Sequence, residues 1–378
     1  MRILYFSRAY TAHDRRFLAA LAASPHDTWY LRLQDDALTY ETLPVPSGVR
    51  MMEPLAGGEA ISAPEQYLRL VHRFEAALDQ ARPDLVHAGP VQSCALIAAL
   101  AGFRPLLAMS WGSDLLVDAE RDAVWNWATR FALGHADMLA TDCDEVSQAA
   151  QRITRFAGEN IVQFPWGVDI ATFRPGMDTL GLRRKLGWEE CVVAISTRSW
   201  EPIYGVLPLL ESFGMAHHRD PRLRLVLAGA GSLRPEVERF IFTSGLDGTV
   251  WLPGAVPHDQ LPDYFRAADL YASFAASDGS SVSLLEAMAT GLPAIVTDRA
   301  SNREWIASPS NGLLAPFGDT RAMAAAFVEI ANLTENRRRE IAESNRAIAE
   351  SRANWGRNVS KLLAAYDLLA PEVGQVTT

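Results

Sequence analysis

Short apolar runs alternate with helix-length stretches along the whole chain, and this pattern limits the fold more than any single motif. In the first half, the runs at 2–6, 28–33, 85–88, 106–109, 138–141 and 161–164 read as strands. Stretches with helical character fill 13–23, 65–81, 92–101, 121–133 and 145–156. Such repetition predicts βαβ units and a mostly parallel sheet. Pro165, Gly167, Pro175 and Gly176 interrupt it over 164–178. It then restarts, with strands at 191–196, 223–228, 250–252, 270–273 and 294–297 and helices at 205–217, 234–243, 259–267 and 281–290. Helices dominate 319–369. At roughly 100–200 residues per domain, a chain of 378 residues holds two such sheets. The expectation is an α/β chain with two doubly wound parallel-sheet domains, 1–165 and 166–355, facing across a cleft. Ligands of such sheets sit at the carboxyl ends of the strands.

Composition narrows the chemistry. Of 35 basic residues only two are lysines, Lys185 and Lys361. Neither stands in the Gly-Lys-Ser/Thr setting of a phosphate-binding P-loop. Neither is placed as a nucleotide lysine on a strand or as a desolvated Schiff-base amine. Phosphate chemistry here must rest on arginine, backbone N–H groups and helix ends. The net charge of −10 argues against a duplex nucleic-acid partner. Cys94, Cys143 and Cys191 are widely spaced and form no zinc or C-x-x-C pattern, so they read as buried thiols in a reducing cytosol. The N-terminus enters a strand directly, without a signal-peptide layout. The longest uncharged stretch, 85–103, contains His87, Gly89, Pro90, Gln92 and Ser93, and is too polar for a spanning helix.

The segment 268–306 carries most of the chemistry. A strand ends near Ser273, a polar loop with Asp278 and Gly279 follows, and a helix begins near Ser281. Gly291 and Pro293 stop that helix. Ser280 or Ser281 is a natural N-cap, and the free N–H groups beyond, starting at Val282, suit a diphosphate without a lysine. Glu286 stands among Leu284, Leu285, Ala287, Met288 and Ala289, sharing its stripe with Ser283 and Thr290. A carboxylate in such company needs a partner. Sugar hydroxyls would serve, and so would an arginine.

Asp278-x7-Glu286 followed by Ala-Met-Ala-Thr-Gly-Leu-Pro resembles the Glu-x7-Glu segment of the family 4 retaining glycosyltransferases, which have the GT-B fold. Trp166-Gly167-Val168-Asp169 with Phe173-Arg174-Pro175 is similar to that family's interdomain segment. The run 225–231, with Gly229 and Gly231, resembles its strand and Gly-x-Gly turn. The stretch 354–369 resembles the closing helix that returns to the first domain, which makes 356–378 a crossing helix and tail. The resemblance implies that Asp278 meets the donor sugar and Glu286 the nucleotide ribose. It also places Arg198 as the diphosphate arginine. Where the family has a lysine before a glycine, this chain has Tyr204-Gly205. The missing lysine points to Arg198, the Ser280/Ser281 helix end and Arg303 as the diphosphate ligands.

The family often has a histidine before Gly-x-Asp after the fourth strand; here Trp111-Gly112-Ser113-Asp114 replaces it. Candidates on the acceptor side are His13, Arg15 and Arg16 after the first strand, His87 at a strand end, Trp111, and Asp114, which could equally cap a helix. The resemblance implies a retaining hexosyltransferase without cofactor or metal. No Asp-x-Asp or histidine cluster points to a divalent site near the donor loop. The donor would be a nucleotide-sugar, with UDP-sugars favoured, and the acceptor a glycan, lipid-linked or small molecule. The expected location is cytoplasmic, at the inner face of the membrane if the acceptor is a lipid. Two alternatives stay open: another GT-B activity such as a sugar-nucleotide epimerase, and a catalytically weak nucleotide-sugar-binding subunit.

Overall fold

The computed structural model describes residues 1–34, 41, 43–57 and 63–370, so the polar tail expected after Pro371 lies outside the described residues. The chain divides into two compact units, Met1–Pro165 with Arg357–Thr378, and Trp166–Gly356.

The first unit is built on seven strands: β1 (Arg2–Ser7), β2 (Asp27–Arg32), β3 (Arg50–Met51), β4 (Leu85–Gly89), β5 (Leu106–Met109), β6 (Met138–Thr141) and β7 (Ile161–Gln163). They lie in the order β3-β2-β1-β4-β5-β6-β7, and every pairing is parallel. The second unit has six: β8 (Val192–Ser196), β9 (Leu223–Ala228), β10 (Val250–Gly254), β11 (Leu270–Ser273), β12 (Ala294–Thr297) and β13 (Gly312–Ala315). Their order is β10-β9-β8-β11-β12-β13, again all parallel. Helices on both faces bury the central strands completely, which is why β5, β6, β11 and β12 read as short, largely apolar runs, while β4 carries His87 at its centre. Strand order reverses between β1 and β4 in one sheet and between β8 and β11 in the other. Chain connections leave these strand pairs in opposite directions, which opens a crevice at their carboxyl ends.

Two strands escape a reading by pattern. β3 is a two-residue edge strand of exposed residues, and β13 presents two half-buried leucines. The helix expected over 65–81 is broken: Pro64–Tyr67 and Val71–Ala81 flank a tighter turn at Leu68–Leu70. The stretch expected as helix over 92–101 opens with a wide turn at Val91–Ala95 before Leu96–Leu100. The last helix, Trp355–Leu369, packs into the first unit, where Tyr366 bonds His87 (2.6 Å) and Asn358 Nδ2 donates to the Pro165 carbonyl (3.0 Å). No helix among the described residues is long and apolar enough to cross a membrane.

The second unit is braced by a buried amide pair. Asn345, on the helix Glu335–Arg352, donates to the carbonyls of Leu292 (2.8 Å) and Asn311 (3.0 Å) and accepts from Asn311 Nδ2 (2.9 Å). Both side chains are buried. An apolar replacement would strand two carbonyls and an amide N–H without water. Asn345→Leu is expected to destabilise this unit by about 2–4 kcal/mol, read as a lower urea midpoint at unchanged slope.

Candidate functional site

The crevice of the second sheet brings the expected donor residues together. Arg198 follows β8 and Asp278 lies in the loop after β11, so the strand-order reversal sets them side by side. Arg198 Nη2 is 2.7 Å from Asp278 Oδ2, and Nη1 donates to Ser281 Oγ (2.9 Å) and Ser283 Oγ (3.2 Å). Tyr271, on β11, shares a hydrogen bond with Ser283 (2.8 Å). The side chains of Arg198 and Asp278 keep only 13% and 21% exposure. Burial pushes the Asp278 carboxyl up while the Arg198 charge opposes it. For Arg198, burial disfavours the cation, but Asp278, Tyr204, Tyr271 and Glu286 outweigh it and hold the pKa above its usual value. Nε of Arg198 is buried without a hydrogen-bond partner, and Oδ2 of Asp278 meets the guanidinium only as an unaligned ion pair. Both are polar atoms that a ligand could satisfy.

Tyr204 lies beneath this pair: the Arg198 guanidinium sits 4.2 Å from its ring centroid. A cation over a phenol face is attracted to its quadrupole and loses rotational freedom. The approach depends on Gly205, whose φ is 63° and where an added Cβ would collide with the Phe274 carbonyl oxygen. The expected Gly229 and Gly231 serve the same loop. A Cβ on either would lie 2.5 Å from the carbonyl oxygen of Arg198 or Trp200, so these glycines let their turn press against the arginine's backbone.

The helix Val282–Thr290 begins at Ser281, whose side chain makes no capping bond and accepts from Arg198 instead. The first-turn amides therefore lack the usual side-chain cap, and the helix dipole adds partial positive charge there. Ser280 accepts from Trp305 Nε1 (3.2 Å), which fixes the loop just before it. Gly291 closes the helix in the left-handed conformation (φ 89°). Arg303, expected at the diphosphate, is an exposed residue whose Nε bonds Asp298 (2.6 Å). The tie from its short helix to the donor loop comes instead from Ser301, which donates to the Asp278 carbonyl (3.0 Å). Glu286 is 3% exposed, and its partner is neither an arginine nor solvent: His258 Nε2 lies 2.9 Å from Oε1. Nothing in the sequence pairs these two residues, which are 28 positions apart.

In the first unit, the carboxyl ends of β1, β4 and β5 line a pocket of about 380 Å³ with Ser7, Arg8, Pro90, His13, Asp14 and Trp111 among its walls. His13 and Trp111 stand together, ring centroids 5.6 Å apart, and Arg16 bonds His13 Nδ1 (2.9 Å). Arg15 is half-buried on the same helix, Ala12–Ala22. Asp14, not singled out in the sequence, is buried by its capping box with Thr11 and by Tyr5 Oη (3.0 Å).

Two other acceptor candidates are committed elsewhere. Asp114 is 3% exposed and accepts from Val91 N (3.0 Å), Ser110 Oγ (2.5 Å), Trp111 N (3.1 Å) and Leu115 N (3.0 Å), so its carboxylate ties loops together. The cap at that short helix is Gly112, not Asp114. His87 is wholly buried among Tyr5, Phe17 and Tyr366, and burial lowers its pKa to about 3.

Comparison with known proteins agrees with this fold. Residues 190–332 match the family model for glycosyl transferases group 1, and residues 2–143 match that for glycosyl transferase 4-like proteins. The chain thus carries two glycosyltransferase family matches, one in each unit. Among solved structures, this glycosyltransferase superimposes on Anabaena HepE in complex with UDP and glucose with a TM-score of 0.82 at 19% identity, covering 97% of this chain and 99% of that one. Sucrose-phosphate synthase from Thermosynechococcus elongatus gives 0.81 at 18%, with 98% and 99% covered. These likenesses show the GT-B fold. Putative glycosyltransferase EpsD of Bacillus subtilis is 25% identical over 236 residues, 61% of each chain. The D-inositol 3-phosphate glycosyltransferase of Segniliparus rotundus is 32% identical over 213 residues, 53% of this chain and 45% of that one. The match thus spans about half the length of these curated relatives.

The depressed His87 pKa has a consequence for stability. In the unfolded chain a histidine titrates near its ordinary value of about 6.5 and binds a proton that the folded chain refuses until about pH 3. Stability from this group is present above pH 6.5 and falls as pH drops toward 3. Between pH 7 and pH 5 the glycosyltransferase should lose about 2 kcal/mol through His87, and the urea-midpoint slope over that range should shrink in His87→Phe.

Proposed function

We propose that this glycosyltransferase moves a sugar from a nucleotide-sugar, a UDP-sugar in preference, to a hydroxyl acceptor, with retention of anomeric configuration and no bound metal. The observation that carries the proposal is the placement of Arg198, Asp278, Ser281 and Glu286 around one crevice of the second sheet. The resemblance assigns donor recognition to Arg198, Asp278 and Glu286, and Ser281 begins the helix whose first amides suit a diphosphate.

In this reading the diphosphate takes the Arg198 guanidinium, whose Nε is unpaired, together with Gly279, Ser280 and the amides at the start of Val282–Thr290. Charge developing on the leaving phosphate is met by this fixed cation and dipole, which cost no reorganisation as the bond breaks. Tyr204 stands in for the absent lysine in two ways: its ring holds the guanidinium flat, and its hydroxyl is a neutral donor. Asp278 exchanges the Arg198 contact for the sugar's hydroxyls as the phosphate arrives. Glu286 receives the ribose. The departing phosphate takes the acceptor proton, so no protein group has to act as nucleophile. The pocket with His13 and Trp111 offers ring faces suited to an acceptor sugar, with Arg15 and Arg16 on the adjacent helix. A lipid-linked acceptor would bring the protein to the inner face of the membrane.

A panel of nucleotide-sugars, assayed for nucleotide release with and without EDTA, tests the proposal. Turnover should persist in EDTA. Asp278→Ala and Glu286→Ala should each lower kcat/KM by about 100-fold or more, and release surviving both would overturn the assignment. Arg198→Ala is expected to cost about 10²–10³-fold, with Arg198→Lys a poor substitute because an ammonium cannot lie flat on Tyr204 while reaching two serines. Tyr204→Phe should separate the two roles of that residue. It keeps the ring under Arg198 and loses only the hydroxyl, so its donor KM should rise less than that of Tyr204→Ala.

A further inference from the structure

Glu286 must present its carboxylate at one angle to be useful to a ribose, yet its terminal torsion is intrinsically broad. The polar residues on its own stripe are engaged elsewhere: Ser283 with Arg198 and Tyr271, and Thr290 with the Glu286 backbone carbonyl, while Leu284, Leu285, Ala287 and Met288 are buried in the core. Its orientation is set from outside the helix. His258 Nε2 meets Oε1 at 2.9 Å, and since a carboxylate only accepts, Nε2 carries the proton. Oε2 makes no hydrogen bond among the described residues.

The histidine is itself seated. The Phe173 ring packs against it at 5.3 Å, tilted by 53°. The Asp169 carboxylate interacts with it electrostatically and is held by Ala171 N (2.9 Å) and Thr172 Oγ1 (2.6 Å). Arg346 then joins both sides of the arrangement, donating to the carbonyls of Phe173 (2.6 Å), Ile170 (3.0 Å) and Ala289 (2.8 Å). One guanidinium thus holds the support beneath His258 and the last turn of the Glu286 helix at fixed separation.

We infer that His258 is a positioning residue: it fixes Oε1 of Glu286 so that Oε2 is presented to the donor's ribose hydroxyls. Recognition of those hydroxyls, as distinct from the base and the phosphates, then depends on the 254–260 loop. The inference rests on the donor-site reading above. Isothermal titration of the full chain with UDP and with 2′,3′-dideoxy-UDP separates the two ideas. His258→Ala should weaken UDP binding about tenfold while leaving dideoxy-UDP within twofold of wild type. His258→Gln, which returns an N–H donor at similar reach, should recover most of the loss, and in turnover the defect should fall on donor KM rather than kcat. Equal weakening of both nucleotides by His258→Ala, or no weakening of either, would overturn the positioning role. If the wild type binds no UDP, or Glu286→Ala leaves UDP binding unchanged, the donor-site reading itself fails and takes this inference with it.

Discussion

A half-buried arginine at the carboxyl end of β8 organises the donor loop of the second unit. Removing a guanidinium from water is unfavourable unless opposite charge and hydrogen-bond acceptors replace the lost solvent. Arg198 is given one carboxylate, two serine hydroxyls and a phenol face. These partners come from two parts of the chain: Asp278, Ser281 and Ser283 from the loop after β11 and the helix start that follows it, and Tyr204 from the turn after β8. Their convergence requires close backbone approaches, and glycines occupy the positions where a side chain would obstruct them. The geometry of the loop and the charge it surrounds are therefore one problem with one solution.

The scarcity of lysine takes on a specific meaning in this setting. A second flexible ammonium beside Arg198 would add charge but no orientation. An aromatic ring adds orientation and no charge. With Asp278 already beside the guanidinium, that pair is close to electroneutral, and under the proposed function an incoming diphosphate would compete for the arginine with the protein's own carboxylate. Selectivity for a ligand that can occupy the arginine and the carboxylate together follows from that competition.

Much of this was legible in the sequence, for reasons that can be named. Fully buried parallel strands are short apolar runs, so β5, β6, β9, β11 and β12 could be located to the residue. Gly291 and Pro293 marked a helix end because few other residues tolerate those backbone states. Asp278 and Glu286 stood out because their spacing resembles the Glu-x7-Glu segment of the family 4 glycosyltransferases. What the sequence concealed was pairing at a distance. His258 carries no local signature of its bond to Glu286, and His87 and Asp114 look like site residues until their burial and partners are seen. The edge strand β3 and the broken helix over 65–81 were hidden for a different reason: short elements take their form from tertiary neighbours rather than from periodicity.

The last helix has a consequence for how the protein is made. Trp355–Leu369 supplies Tyr366 and Asn358 to a unit whose sheet is encoded in residues 2–163. The first unit to leave the ribosome therefore has its whole sheet but not its closing helix while the intervening unit, Trp166–Gly356, is synthesised. Until the C-terminal helix emerges, His87 and the aromatic rings around it lack their final cover. The unit encoded second, by contrast, is continuous in sequence and needs no segment from outside itself.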